Sequence, residues 1–321
     1  MDGKQFFPGK KSALHLFCVF PQYRKALFSR QPSAFFLAFC FLLCGAFCVF
    51  AIDWPVREGT LAANFGTSDG GIPLLGDSIA AAGSINPVDV GELVFVHDPD
   101  NPALRFPSPL GSWMALDHGD NMIGIYSRYE DRRGAPVPTM METGTVLASV
   151  GRTGWAEQDG LYFAFFDRRE RRWVNPSLII SGFISRVEDT VPPVIRQVEL
   201  RTMAGTSINP AVVQNLSQGL YTIYADVWDT FEAGGQPAAP NRITCSINGI
   251  ETGVLSFETL VSRDGKRMVY RNGMVQAAQV YDPRGFGLGE LRLTRGQAVL
   301  VIEARDMAGN TRSVTYRLTI D

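Results

Sequence analysis

Histidine is nearly absent from this chain. Its 321 residues include three, His15, His97 and His118, too few for any centre that needs several imidazoles converging on one point. Cysteine is equally scarce where it would matter. Of Cys18, Cys40, Cys44, Cys48 and Cys245, only the last lies beyond residue 48, so the body of the chain can form no internal disulfide and no Cys/His zinc knuckle. Excess positive charge is missing as well. A net charge of -2 provides no global basic field and excludes a general affinity for nucleic acid. Helical periodicity, internal repeats and low-complexity tracts are also lacking.

One long apolar run is present. Residues 34–52, AFFLAFCFLLCGAFCVFAI, carry no charge and follow Lys10, Lys11, Arg24, Lys25 and Arg30. A positive flank before an apolar segment marks a secretory signal or an uncleaved signal anchor. Val49, Phe50 and Ala51 form an acceptable cleavage site, whereas the length suits a membrane-spanning anchor helix. Lipid attachment at Cys44 or Cys48 is a third outcome, disfavoured by the bulky residues before each cysteine. All three export the rest of the chain.

Beyond this run the text is that of an all-β protein. With 32 glycines and 19 prolines, short apolar runs alternate with turn residues: GELVFV, SWMALDHG, MIGIYSRYE, TVLASVG and LYFAFFD. DTVPP, residues 189–193, cannot continue a ladder, because two prolines supply no donors. The expected organisation is a signal or anchor over residues 1–52, a domain over 53–186, a linker over 187–193 and a second domain over 194–321. About seven strands separated by NG, GG, DG and RG turns predict a β-sandwich in the last of these. Its ending, ARDMAGNTRSVTYRLTID, resembles the final hairpin of bacterial immunoglobulin-like domains. There Asp306, Gly309 and Asn310 suit a tight turn by short side-chain hydrogen bonds and a free glycine φ.

Two blocks of the first domain carry a sharper signal. MALDHGDNMIGIYSRY, residues 114–129, and VGRTGWAEQDGLYFAF, residues 150–165, with Val174, Asn175 and Pro176 downstream, resemble the lysostaphin-type (LytM-like) zinc endopeptidases that cut peptidoglycan cross-links. The resemblance implies an antiparallel β-sheet groove with a zinc ion held by an H-x-G-x-D motif and an H-x-H strand, assisted by the histidine of a Y-x-H motif. Read in this register, the functional residues are gone. In LLGDSI, Leu74 stands for the first histidine and Ser78 for the aspartate. Arg128 replaces the Y-x-H histidine, and Gly160 and Tyr162 replace the H-x-H pair. A one-residue shift would recover Asp77 as a carboxylate but would put Pro73 at the histidine position.

The expectation is therefore a groove with no catalytic residue, no metal ligand and no cofactor, although zinc is usual in the family. Tyr126, Arg128 and Tyr162 are the candidates for its binding face. Alternating Leu161, Phe163 and Phe165 would keep the other face packed. His97, in VFVHDPDNP beside Asp98 and Asp100, reads as a solvated turn. DRRERR, residues 167–172, reads as a hairpin tip, and Trp155, Trp173 and Trp113 as core or cleft-wall packing. The resemblance implies an exported, catalytically inactive protein of the bacterial periplasm or cell envelope. It would bind peptidoglycan or regulate a cell-wall hydrolase, and touch the membrane only through an uncleaved residues 34–52. Two other readings stay open: an active metallo-endopeptidase with substituted ligands, and a structural or adhesive protein whose domains are both scaffolds.

Overall fold

The computed structural model describes residues 52–97, 107–130, 139–180, 189–230 and 235–321. The signal or anchor segment, Asp98, Asp100 and the start of the expected linker lie outside them. The described residues are strands and turns with two 3-10 turns, Pro176–Leu178 and Ala277–Gln279. None of their helices is long and apolar enough to cross a membrane.

The first half contains β1 (Gly59–Ala63), β2 (Asp77–Ala81), β3 (Gly91–His97), β4 (Trp113–Asp117), β5 (Met122–Ser127), β6 (Thr139–Met141), β7 (Gly160–Asp167) and β8 (Arg172–Val174). β7 is central, antiparallel to β2 on one side and to β5 on the other. Its inward residues Leu161, Phe163 and Phe165 join Ile79, Leu93, Met114, Leu116 and Tyr126 in one core, as strand alternation requires. The DRRERR segment turns between β7 and β8, with Arg168 paired to Asp117 at 2.8 Å.

The second half contains β9 (Val194–Thr202), β10 (Gly219–Trp228), β11 (Arg242–Ile247), β12 (Ile250–Arg263), β13 (Lys266–Arg271), β14 (Gly285–Leu293), β15 (Gly296–Arg305) and β16 (Thr311–Ile320). β9, β10 and β14 belong to one sheet, and β11, β12, β15 and β16 to another. Their inward residues share a core that includes Val198, Leu200, Ile223, Ile243, Leu255, Phe257, Leu300 and Ile302. Cys245 is buried among them. After Asp189, the residues through Pro193 stay out of strand, and β9 begins at Val194.

The two halves are not beads on a string. β8 pairs with β12, Trp173 opposite Leu260 and Val174 opposite Thr259, so one sheet of fifteen strands runs through both. The segment between β1 and β2 is also claimed by the second half. Phe65 and Leu75 pack with its core, the Asn64 amide donates to Ala239 O (2.8 Å), and Tyr281 donates through its hydroxyl to Gly66 O (2.6 Å). Arg267 donates to Pro73 O (2.7 Å).

Candidate functional site

The strand register brings together residues that the resemblance singles out. Tyr162 stands opposite Ser78 on one side and Ser127 on the other, so these side chains share the face of β7 turned away from Leu161 and Phe163. Arg128 completes the group. Its Nη1 donates to the Ser78 hydroxyl (2.8 Å), and its guanidinium carbon lies 5.3 Å from the centroid of the Tyr162 ring, within cation–π range. The Leu75 N–H, one residue beyond Leu74, donates to the Tyr162 hydroxyl (3.1 Å).

Arg128 reaches this position through its backbone. Strict alternation from Tyr126 would point residue 128 to the core side of the sheet. Instead Arg128 adopts φ 74°, a left-handed conformation uncommon for a residue with a Cβ, and β5 ends at Ser127. Its N–H donates to Ser112 O (2.8 Å) and Leu110 O (3.1 Å), which hold the chain in this bend.

Tyr126 does not belong to the groove. It is 0% exposed and lies opposite Phe163, with ring centroids 5.0 Å apart. Its hydroxyl accepts from the Val88 N–H (3.0 Å) and lies 3.2 Å from His118 Nε2. His118 Nδ1 faces the Val90 carbonyl at 3.0 Å. A carbonyl only accepts, so Nδ1 carries the proton and Nε2 accepts from Tyr126. Burial pulls the His118 pKa down, in keeping with this neutral tautomer. The expectation that Tyr126 shares a face with Arg128 fails because the left-handed turn at Arg128 breaks the alternation on which it rested.

Tyr162 is also less open than expected, at 8% exposed. Burial pushes its phenol up to about 12 against the charges of Arg267 and Arg128. Arg128 is half-buried, and burial lowers its pKa while Tyr162 and Glu157 oppose the shift; a guanidinium stays charged regardless. Its Nε is buried without a partner. The other positions are shaped by backbone. A Cβ at Gly160 would lie 2.3 Å from Ile79 O, and one at Gly76 would lie 2.2 Å from Phe163 O, so both glycines let strands approach where a side chain cannot fit.

Zinc does not fit these residues. A tetrahedral site needs three nitrogen, sulfur or carboxylate donors. Here stand a serine hydroxyl bonded to an arginine, a buried phenol bonded to Leu75, a glycine and a leucine. The neighbouring carboxylate, Asp77, is 0% exposed and opposite Phe163, on the core side. Its Oδ1 accepts from the Phe65 N–H (2.8 Å). His97 is buried, with Nδ1 3.1 Å from Gly111 O. Sequence reasoning missed Gly76, whose place in LLGDSI was its signal, and Arg267, which no local pattern announces. It also placed Trp155 in packing, yet Trp155 is 79% exposed, because its loop is held by backbone bonds (Trp155 N–H to Pro109 O, 3.0 Å) that leave the ring outside.

Solved structures similar to part of this chain include peptidase domains. The catalytic domain of the prophage-encoded M23 protein EnpA from Enterococcus faecalis is 20% identical, over 40% of this chain and 95% of that one, with a TM-score of 0.33. The catalytic domain of the antimicrobial peptidase lysostaphin from Staphylococcus simulans is 15% identical, over 35% of this chain and 81% of that one, with a TM-score of 0.28. A chain of the SpoIIQ–SpoIIIAH pore-forming complex is 13% identical, over 44% of this chain and 98% of that one, with a TM-score of 0.33. No curated protein matches the chain. A family model matches residues 192–321, the second half from the first of its two leading prolines onward.

Proposed function

We propose that the first half is a non-catalytic LytM-like domain that acts by binding in the cell envelope, on peptidoglycan or on a wall hydrolase. The observation that carries this reading is the Arg128 guanidinium, bonded to Ser78 and lying over Tyr162 at the positions aligned with a metal centre. A fixed cation takes the place of a metal's charge without a metal's open coordination position, so no water is activated there. What the cluster retains is recognition chemistry. Unused guanidinium donors suit a carboxylate, which stem peptides and acidic loops carry. The loop that leads into β7 is bonded to Arg128 O through the Thr153 N–H (3.4 Å) and presents Trp155 to solvent, a flat apolar surface for a sugar or a partner side chain. The second half, expected to be immunoglobulin-like, holds one wall of this region through Arg267 and Tyr281 and so acts as part of the same body.

Co-sedimentation of the purified protein with intact sacculi tests the binding arm. We expect wild type to pellet with sacculi and Trp155→Ala to bind about 5- to 30-fold more weakly, the loss of one exposed aromatic contact of ~1–2 kcal/mol. Trp155 lies outside the core, so the variant should keep its fold. If wild type stays in the supernatant with sacculi and also captures no wall hydrolase, the binding reading falls and the scaffold reading takes its place.

A further inference from the structure

Three carboxylates that the cleft does not use meet elsewhere in the fold. Asp189 opens the stretch that leads into β9, Asp229 directly follows β10, and Asp306 directly follows β15. These points are distant in sequence, yet each residue brings an oxygen within 4.8 Å of the other two. The residues are 5%, 2% and 1% exposed.

Each aspartate is held in place. Asp306 accepts from the Asn310 N–H at Oδ1 and from the Asn310 amide at Oδ2, both at 2.8 Å. The same amide donates to Asp189 O (3.0 Å), and Asp189 Oδ1 accepts from the Val191 N–H (3.0 Å). Asp229 exchanges both backbone hydrogen bonds with Ala238, at 2.8 and 2.9 Å. Its Oδ1, however, is buried and has no donor. Among the described residues, no lysine, arginine or histidine forms an ion pair with any of the three.

Buried like charges at this spacing need a compensating cation or bound protons. Burial and the two neighbouring carboxylates lift Asp229 to about 7, so protons are the competing occupant. Two features favour a metal ion. Asp229 Oδ1 is buried without a hydrogen-bond partner, and the scaffold holds three carboxylates close enough to reach one ion, since ligands across a calcium ion are about 4.8 Å apart at ~2.4 Å per bond. We infer that Asp189, Asp229 and Asp306 form a binding site for a hard divalent cation, with calcium the best fit, where the chain enters the second half. Water and carbonyl oxygens would complete the shell. The bound ion would tie Asp189, at the head of the prolines, to the turns after β10 and β15 and stiffen the junction. This inference is independent of the reading of the cleft.

The test uses the full-length protein, stripped with chelator and then titrated with calcium chloride near neutral pH by calorimetry, alongside thermal unfolding with and without calcium. We expect one equivalent bound with a Kd of about 10⁻⁶ to 10⁻³ M and a higher unfolding temperature with calcium. Asp229→Asn should weaken binding by at least about tenfold. Because it removes one of three repelling charges, it should unfold no earlier than wild type in chelator. Asp189→Asn serves as a second variant should Asp229→Asn fold poorly. No binding by wild type at millimolar calcium would overturn the site and leave the cluster to protons. Undiminished binding by both variants would place the ion elsewhere and overturn it equally.

Discussion

At the scale of single residues, the first half turns one face of β7 to the core and gathers Ser78, Arg128 and Tyr162 on the other. Asp77, next to Ser78 in the chain, belongs to the core side and accepts from the Phe65 N–H. Burial lifts its carboxyl to about 7 from an ordinary 3.8. A carboxyl whose pKa rises on folding binds its proton more tightly in the native state. The stability it contributes is therefore full below about pH 4 and is lost as pH rises towards 7. Asp77→Asn keeps the oxygen acceptor and removes the titration. We expect the stability of wild type relative to Asp77→Asn, from urea unfolding, to fall by up to ~4 kcal/mol between about pH 4 and pH 8. A difference that stays flat or rises over that range would show that Asp77 is not buried in this way. The two ungapped blocks put Arg128 and Tyr162 on one face, and the structure sets the guanidinium carbon 5.3 Å from the ring centroid; Ser78 lies outside both blocks. The burial of Tyr126 could not be read from the text, because it depends on a single left-handed residue, Arg128, whose side chain gives no hint of that φ.

At the scale of elements, short apolar runs bounded by turn residues were legible as strands, whereas their pairing was not. GELVFV, MIGIYS and LYFAFFD fall in β3, β5 and β7. TVLASVG yields only the two-residue strand Ala148–Ser149. β12, the longest strand, has a bulge between Ser256 and Leu260 in its pairing with β13, and this shifts the phase of its buried residues. It carries Gly253 as well, and it joins the two halves. Close approach between β2 and β7 also restricts which residues can stand in this region. Gly160 sits where a Cβ would press within 2.3 Å of Ile79 O. Gly160→Ala should destabilise the protein by about 1–3 kcal/mol, and a histidine there should be worse. A shifted urea midpoint would be the readout. An unchanged midpoint would mean that β2 and β7 part easily and that the position is open to a ligand after all.

At the scale of the whole molecule, the described chain is one compact unit from residue 51 onward. A family model begins at Pro192, close to the expected limit, and β8 and β12 continue one sheet across both halves. Nothing local in the sequence announces this. The pairing joins Trp173 and Val174 to Leu260 and Thr259, and the contacts of Arg267 and Tyr281 with the loop before β2 are similarly remote in sequence. The second half thus fixes the segment that, in the resemblance, would bring the first metal ligands. The loop before β2 is held in the core of the second half, and its Leu75 N–H meets Tyr162 beside Arg128. On the reading proposed above, such a cleft is suited to binding rather than to turnover. The most direct test is to supply the full-length protein with zinc and cross-linked peptidoglycan and to follow muropeptide release with and without chelator. The account predicts no chelator-sensitive release at any zinc concentration. Release that requires zinc and stops with chelator would contradict it.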